Sequence, residues 1–225
     1  MIIGNGLIAK TFDKYKYSKK ILIFASGVSN SQETSISSFL REEDMLKRVV
    51  QESQAYRVVY FSSCDVKDES NNKPYYTHKR KMEELIINNS NNYAIFRLPQ
   101  VIGRGGNNTN LINFLKNKIK NNEKFDLHLN HYKSIIHIKE VFRMCSFILD
   151  NDMCKAKVIN IINFNYIKMS NLVGLIEAEV RKKSTVNELY DVKTLEYDET
   201  DSMQIAEKLK IKFDNFYITN SIRDK

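Results

Sequence analysis

The sequence predicts a doubly wound α/β fold with a parallel sheet. Apolar, β-rich runs recur along the chain, and amphipathic stretches separate them. Uninterrupted apolar runs are typical of parallel strands that are covered on both faces. The chain also opens MIIGNGLIAK, a short apolar run followed at once by a glycine turn, and phosphate-binding strand–turn–helix units begin in this way. Strand and helix alternate from there on, which favours helices packed on both sides of one sheet.

The elements follow one another in a regular order. Residues 1 to 3 form the first, very short strand. Further strands are predicted at ILIFAS (21–26), VVYFSS (58–63), YAIFRL (93–98) and VINIINF (158–164). Apolar residues near helical spacing predict helices over 33–52, 76–88 and 109–120. Beyond residue 165 we expect a helix that begins near Ser170, a mixed stretch and a short helix around 201–209.

Composition limits the classes of partner. The 225 residues carry a formal net charge of +8, which favours an anionic partner such as nucleic acid, a membrane surface or a phosphorylated small molecule. The lysines are scattered along the chain, so we expect a phosphate-bearing ligand and no nucleic acid. No run approaches the ~20 apolar residues of a membrane span, and the first residues do not resemble a signal peptide. We therefore predict a cytoplasmic protein without membrane association.

Cysteine and histidine spacing predicts no metal site. The three cysteines, Cys64, Cys145 and Cys154, form no CxxC motif and are odd in number, which argues against both a zinc site and a disulfide framework. The four histidines fall in three different predicted elements: His78, His128, His131 and His137.

The glycine turn GNGLIA fits the pattern G-x-G-x-x-A, with Gly4, Gly6 and Ala9 at the defining positions. Glycines allow the backbone to approach a pyrophosphate, and the amides of the following helix face its charge. A glycine turn between a strand and a helix also occurs without any ligand. The acidic residue that normally follows about 20 positions later to hold the ribose is missing, because Phe24, Ala25 and Ser26 occupy that neighbourhood.

A second group of residues points to proton transfer. Tyr75 and Lys79 lie four residues apart at the start of a predicted helix, so that phenol and ammonium share one face. A neighbouring ammonium favours the phenolate and lowers the tyrosine pKa. Ser63 ends the strand VVYFSS, from where it can donate a hydrogen bond to a carbonyl or alcohol oxygen while Tyr75 exchanges its proton. The spacing YxxxK also occurs by chance, and only its combination with Ser63 and the glycine turn favours a catalytic site.

The segments GNGLIA, ILIFASGVSNS, VVYFSSCDV, PYYTHK, FRLPQVIGR and SIIHIKEV stand in this order. In this the chain resembles the extended short-chain dehydrogenase/reductases, the NAD-dependent epimerase/dehydratase group that modifies nucleotide sugars. The resemblance covers residues 1 to about 180 and implies a Rossmann-like fold. It implies a core over 1–165, with substrate-lobe insertions around 103–135, and a small C-terminal substrate lobe over 166–225.

The resemblance also implies roles for individual residues. Ser63 matches the catalytic hydroxyl, Tyr75 the general acid/base, and Lys79 the lysine that lowers the tyrosine pKa and holds the nicotinamide ribose. The implied cofactor contacts are Gly4, Asn5, Gly6, Leu7, Ile8, Ala25, Ser26, Gly27, Ser62, Tyr75, Lys79 and Pro99. The implied substrate contacts are Cys64, Gln100, Asn113 and Lys133. Ser62 and Cys64 remain alternatives to Ser63, because a loop shifted by one residue would exchange them.

The chain departs from the family after its first helix. Relatives place two further strands between the glycine turn and the strand that matches ILIFAS, whereas this chain has only residues 10–20. The resemblance therefore implies a sheet narrowed by the loss of a β-α-β segment that carries the adenosine-recognising acids. The cofactor is then NAD or NADP, undecided, and the basic run KYKYSKK (14–20) is either a 2′-phosphate contact or a solvated helix end.

The resemblance implies an NAD(P)-dependent oxidoreductase or epimerase for a nucleotide-linked sugar, in surface polysaccharide biosynthesis. Ketoreduction and epimerisation are favoured over dehydration, because family dehydratases carry an acidic pair after the catalytic hydroxyl and this chain has only Asp65. A non-catalytic, dinucleotide-binding regulatory module is the alternative, and nucleic-acid binding a third hypothesis. Because many relatives dimerise through the helix with the YxxxK lysine, we expect a homodimer formed by residues 33–52 and 76–88.

Overall fold

The computed structural model describes residues 1–105, 110–193 and 197–223. It consists of two compact units. Unit 1 comprises Met1–Leu98 and Ile138–Ile161, and unit 2 comprises Pro99–His137 and Ile162–Lys225.

The centre of unit 1 is a parallel, five-stranded sheet. Its strands lie in chain order and are β1 (Ile2–Ile3), β2 (Ile21–Phe24), β3 (Arg57–Ser63), β4 (Tyr93–Leu98) and β8 (Lys157–Asn160). The predicted parallel sheet is thus confirmed. Strand β1 lies at the edge, and no strand pairs with its outer side in the described part of the chain. This is the arrangement expected when the β-α-β segment beyond β1 is missing.

Helices cover both faces of this sheet. They are α1 (Leu7–Thr11), α2 (Ile36–Glu52), α3 (Pro74–Asn89) and α5 (Ile138–Asp150). Helices α2 and α3 pack on the face that presents Leu22, Val58 and Tyr60. Phe12, which directly follows α1, instead contacts Phe61 of β3 and Phe142 of α5.

The two faces have a topological consequence. Tyr60 and Phe61 are consecutive in β3, so their side chains point to opposite faces of the sheet. Helix α1 is therefore on the face that presents Phe61, and α2 is on the face that presents Tyr60. The connections β1-α1-β2 and β2-α2-β3 lead in the same direction along the strand order, but they cross opposite faces of the sheet. One of the two must be left-handed, although such crossovers are almost always right-handed. The missing β-α-β segment explains this left-handed connection. Helix α1 remains on its own face of the sheet, but the strands to which it would have led are absent.

Two predicted strands are shorter in the structure. The run ILIFAS contributes only Ile21–Phe24 to the sheet, and VINIINF only Lys157–Asn160. Ile161 and Ile162 are fully buried nonetheless, and the Ile162 N–H donates to Ser202 Oγ rather than to a neighbouring strand. The apolar runs thus identify buried residues correctly here, but they predict strands that are longer than those in the structure.

Unit 2 contains the helices predicted over 109–120, from near Ser170 and around 201–209, together with strands that the sequence pattern did not reveal. Its strands are β5 (Gln100–Ile102), β6 (Phe125–Lys133), β7 (Ile135–His137), β9 (Ile167–Lys168) and β10 (Val186–Lys193). Its helices are α4 (Leu111–Lys120), α6 (Met169–Val180), α7 (Thr200–Lys208) and α8 (Tyr217–Arg223). Residue 109, the first of the predicted helix 109–120, lies outside the described residues. Helices α4 and α6 pack with β6 over a shared apolar core that includes Ile112, Leu127 and Leu172.

None of the described helices combines the length and the apolar character that crossing a bilayer requires.

Candidate active site

The glycine turn brings two strands of unit 1 into close contact. Gly4 has φ +124°, and a Cβ at this position would lie 2.3 Å from the carbonyl oxygen of Ala25. Only glycine combines this backbone conformation with so close an approach. Gly6 differs, since its φ is −76° and nothing lies within 4 Å of the place of its Cβ. Of the predicted pair, only Gly4 is therefore required by the fold itself.

The segment after β2 lies directly beside the predicted lysine. A Cβ at Gly27 would lie 2.7 Å from Glu42 Oε1 and 2.8 Å from Lys79 Nζ. Ser26 is held from its other side, because the Arg41 guanidinium donates to its carbonyl oxygen at 3.2 Å. The predicted cofactor segment Ala25 to Gly27 thus meets Lys79 and a carboxylate of α2 at Gly27.

The three candidate side chains lie at the carboxyl end of β3, with Ser62 and Ser63 in the strand and Cys64 directly after it. Ser63 is half-buried, and its Oγ accepts the N–H of Asp65 at 3.3 Å, which leaves the hydroxyl hydrogen able to donate to another group. Cys64 is buried, and burial raises the pKa of its thiol. Ser62 Oγ is buried and has no hydrogen-bond partner in the part of the chain that the structure describes. A buried hydroxyl without a partner is uncommon, and it marks a polar group that a ligand could satisfy.

Tyr75 and Lys79 lie in the first turns of α3, as their spacing predicts. The helix begins at Pro74, whose fixed φ and missing N–H suit the first helical position. Tyr75 is only 8% exposed, packs with Val28 and Val66, and meets Tyr76 edge-on at 5.0 Å between ring centroids. Lys79 Nζ lies 5.8 Å from the centroid of the Tyr75 ring. The phenol and the ammonium therefore share one region of unit 1.

Lys79 takes part in a buried polar network, which we call the Glu42 network. It consists of Glu42, Tyr60, His78, Lys79 and the Val28 backbone. Glu42 Oε1 accepts from Lys79 Nζ at 3.1 Å and from the Tyr60 hydroxyl at 2.6 Å. Glu42 Oε2 accepts from the Val28 N–H at 2.6 Å and lies 3.0 Å from His78 Nε2. Every carboxylate oxygen is thus satisfied, which a buried charge requires.

The Glu42 network changes the electrostatics that the sequence predicts. Burial alone would raise the pKa of Glu42, but the Lys79 ammonium and the hydrogen bonds of the network hold this pKa well below its ordinary value. Burial raises the pKa of Tyr75, and the negative charges of Glu42 and Asp65 raise it further. Lys79 is hydrogen-bonded to Glu42 in this arrangement, and its expected effect on the pKa of Tyr75 stays a prediction.

Sequence reasoning missed Glu42, Tyr60 and His78. A signal for Glu42 was present, since it lies three residues after Phe39 and four before Leu46, on the apolar face of α2. An acid at such a position is buried and needs a cationic partner. Its partner could not be identified, because Lys79 lies 37 residues further along the chain.

The remaining predicted contacts belong to unit 2. They are Pro99, Gln100, Asn113 and Lys133. Gln100 pairs with Ile135 where β5 and β7 run in parallel, and its N–H donates to the carbonyl of Ser134 at 3.2 Å. Asn113 lies in the first turn of α4, and Lys133 ends β6. Their proposed contacts with a substrate stay predictions.

Solved structures share this fold at low sequence identity. UDP-glucuronic acid 4-epimerase from Bacillus cereus, in complex with UDP-glucuronic acid and NAD, has a TM-score of 0.73 and 13% identity, with 98% of this chain and 77% of that chain covered. dTDP-glucose 4,6-dehydratase from Bacillus anthracis, in complex with NAD, has a TM-score of 0.68 and 14% identity, with coverages of 97% and 76%. RMD from Pseudomonas aeruginosa, in complex with NADPH, has a TM-score of 0.66 and 12% identity, with coverages of 99% and 94%.

A search of curated protein sequences returns no match. The profile of the NAD dependent epimerase/dehydratase family matches residues 8–161. That range includes Ser63, Tyr75, Lys79 and Glu42, and it begins after Gly4 and Gly6. Because the profile matches most of its length, the chain belongs to the NAD-dependent epimerase/dehydratase family.

Proposed function

We propose that the chain uses NAD or NADP to reduce or epimerise a nucleotide-linked sugar, in the biosynthesis of a surface polysaccharide. The observation that supports this most is the grouping of Tyr75, Lys79 and the Ala25–Gly27 segment in one unit of a chain of this family. The solved structures with NAD, NADPH and UDP-glucuronic acid support the same classes of cofactor and substrate.

Several features of unit 1 fit a bound dinucleotide. Gly4 keeps the turn after β1 free of side-chain atoms, and the partnerless hydroxyl of Ser62 offers a hydrogen bond to a ligand. Gly4 to Ile8 would hold the pyrophosphate, while Ala25 to Gly27, Ser62 and Lys79 would contact the remainder. The bound dinucleotide supplies or accepts a hydride. The residues described next position the substrate and move its proton.

Tyr75 is the proposed general acid and base. Because burial and the charges of Glu42 and Asp65 raise its pKa, Tyr75 is protonated at neutral pH and can donate its proton to a carbonyl oxygen. Ser63 donates a second hydrogen bond to the same oxygen, which polarises the carbonyl. A protonated phenol suits ketoreduction directly. Epimerisation needs the phenolate as well, and for that step Lys79 would have to favour the charged form.

The experiment that tests this proposal combines cofactor binding with turnover. NADH and NADPH are titrated into the full chain while nicotinamide fluorescence is followed, and turnover is then measured on a panel of UDP- and dTDP-linked sugars and 4-keto sugars. We expect Tyr75→Phe to bind the cofactor as the wild type does and to lose about 10²- to 10⁴-fold in turnover. Lys79→Ala should lose both cofactor affinity and turnover.

Tyr76→Phe is the matched control. Tyr76 neighbours Tyr75, is also buried, and donates its hydroxyl hydrogen to Asp65. Its loss should leave turnover within a few-fold of the wild type. A chain that binds neither NADH nor NADPH would overturn the proposal.

The second candidate is a dinucleotide-binding regulatory module without catalysis. The pairing of Lys79 with Glu42 favours it, because that pairing neutralises the charge on which the activation of Tyr75 depends. This candidate predicts cofactor binding in both the wild type and Tyr75→Phe, without turnover in either. It is rejected if turnover is detected and depends on Tyr75.

A further inference from the structure

Unit 2 carries three ligand-type side chains close together on two neighbouring strands. His128 and His131 belong to β6, and Asp191 belongs to β10. One ligand atom from each of the three lies within 4.8 Å of the others. We call this group the His-His-Asp cluster. It lies in the other unit from Tyr75 and Lys79, and the proposed reaction does not use it.

The carboxylate of Asp191 bridges the two imidazoles. His128 Nδ1 lies 2.6 Å from Oδ1, and His131 Nε2 lies 2.7 Å from Oδ2. The two rings stack, with 4.4 Å between centroids and 18° between planes. Two ring nitrogens and a carboxylate are therefore already directed at one small volume.

An irregularity in the pairing of β6 with β10 lies beside this cluster, and its extra residue is in β10, the strand that carries Asp191. Residues three apart on an ideal strand point to opposite faces, so regular geometry would separate His128 from His131. The parallel pairing of β6 with β10 shifts register between Leu189 and Val192, the part of β10 that contains Asp191. Such a bulge re-aims side chains and occurs often at functional sites. Sequence spacing alone could not indicate the cluster, because Asp191 follows His131 by 60 residues.

We propose that His128, His131 and Asp191 bind a divalent transition-metal ion of the Zn²⁺ class. Two imidazoles and a carboxylate are a ligand set for Zn²⁺ and related ions, whereas Mg²⁺ and Ca²⁺ prefer oxygen ligands alone. Three protein ligands leave the fourth tetrahedral position to water or to a donor atom of another molecule. The metal takes the place of the ring protons that now lie between the histidines and Asp191.

The site is accessible and needs only a local adjustment. The side chains of His128 and Asp191 are 42% and 55% exposed, and that of His131 is 16% exposed. Because the rings are nearly parallel, the more exposed His128 ring must tilt so that both lone pairs meet at one point. Nitrogen and oxygen ligands lie about 2.0–2.2 Å from Zn²⁺, so the ligand atoms also move slightly closer together.

The test is direct metal binding by the full chain, without a polyhistidine tag and after dialysis against a chelator. Zn²⁺ is titrated by calorimetry and Co²⁺ by visible absorption. We expect one ion per chain and a Co²⁺ spectrum without thiolate charge-transfer bands, since all three cysteines are buried elsewhere. His128→Ala, His131→Ala and Asp191→Asn should each weaken binding about tenfold or more.

Asp126→Asn is the matched control. Asp126 is an exposed acid on β6 that accepts a hydrogen bond from Asn187 of β10, so its loss removes one charge from the same pair of strands. Metal affinity should stay within about twofold of the wild type, since Asp126 is not one of the three ligand side chains and exposed charges interact only weakly in water.

A second measurement uses only the wild-type chain, so its result does not depend on whether the variants fold. In a chain with ¹⁵N-labelled histidine, one equivalent of Zn²⁺ should shift the ring nitrogens of two of the four histidines, with metal bound at Nδ1 of one and at Nε2 of the other. The proposal is wrong if no histidine signal shifts, or if the three ligand variants bind Zn²⁺ as tightly as the wild type. In that case the cluster only links β6 to β10 through hydrogen bonds.

Discussion

At the scale of single residues, Glu42 determines how Lys79 acts. The lysine is 2% exposed, and two of its hydrogen bonds go to Glu42 and to the Tyr60 hydroxyl, which itself donates to Glu42. Lys79 therefore satisfies a buried carboxylate in addition to its proposed role toward Tyr75. The charge that reaches the phenol is the balance of the ammonium and the carboxylate.

We predict that Glu42→Gln lowers the pKa of Tyr75. The substitution removes a negative charge that disfavours the phenolate, and it leaves the Lys79 ammonium without its counter-ion. The measurement is the ultraviolet absorption of the phenolate against pH, with the same titration in a Tyr75→Phe background subtracted. Glu43→Gln is the control, because Glu43 pairs with the exposed lysines Lys47 and Lys81. An unchanged or higher pKa in Glu42→Gln would contradict this account of Tyr75.

The same carboxylate predicts the acid sensitivity of the fold. The pKa of Glu42 is lower in the folded chain than in the unfolded chain, so the unfolded state takes up the proton first as the pH falls. The stabilisation is complete above the ordinary glutamate pKa of about 4.3 and is lost as the pH falls through and below that value.

Urea unfolding of the wild type and of Glu42→Gln tests this expectation. At neutral pH we expect Glu42→Gln to lose about 3–5 kcal/mol in the free energy of unfolding, because Lys79 is left buried without a counter-charge. This difference should stay constant between pH 7 and about pH 5 and should shrink progressively as the pH falls below about 4.3. A difference that stays constant with pH would show that Glu42 acts through packing alone.

At the scale of elements, the central strands β2, β3 and β4 of unit 1 were predictable because each contains a buried, uninterrupted apolar run. Tyr93–Leu98 is the predicted strand without change, and Arg57–Ser63 gains only one residue. In unit 2, β6 and β10 escaped prediction because neither has a continuous apolar run. In β10 the sequence VNELYDVK is largely exposed, and its pairing with β6 bridges some 60 residues of chain.

The same contrast holds for the candidate site: contacts between residues close in sequence could be predicted, and contacts that depend on tertiary packing could not. Tyr75 and Lys79 are four residues apart on one helix, so their proximity follows from helix geometry. Glu42 and Lys79 meet only because α2 and α3 pack on the same face of the sheet. Local spacing therefore predicts the first pair, whereas tertiary packing determines the second, and the second changes the charge that acts on the first.

The turn between β1 and α1 contains two glycines, Gly4 and Gly6, so that a substitution at the second serves as the control for one at the first. Gly4→Ala should destabilise the fold, since it places a Cβ against the Ala25 carbonyl and forces a positive φ on a residue with a side chain. Backbone strain of this kind costs about 1–3 kcal/mol before the steric clash is counted. Gly6→Ala should have a much smaller effect, because its φ is ordinary and the space is open.

Thermal unfolding of the two variants, together with NADH titration, separates folding from binding. Gly4→Ala should lower the melting temperature clearly. Gly6→Ala should fold almost as the wild type does, and weaker NADH binding in this variant would locate the pyrophosphate beside residue 6. Equal melting temperatures for both variants would contradict the contact between Gly4 and Ala25.

At the scale of the whole molecule, the remaining prediction is assembly into a homodimer through α2 and α3. Both helices cover one face of the sheet with their buried sides, yet they also expose large apolar residues, namely Ile36, Leu40 and Ile87. Exposed apolar side chains on two neighbouring helices contribute to the kind of patch that forms an interaction surface. In a symmetric dimer this patch would meet its own copy and be buried.

Light scattering at micromolar concentration should therefore give twice the mass of the chain. Leu40→Glu should reduce the measured mass to that of the monomer, because a charge in an apolar interface is strongly unfavourable. Met203→Glu is the control: Met203 is 50% exposed against 51% for Leu40, but it belongs to α7 of unit 2 and not to α2 or α3. It should leave the dimer intact. A wild type that scatters as a monomer would remove α2 and α3 as an interface. A Met203→Glu chain that dissociates as Leu40→Glu does would place the contact elsewhere on the surface.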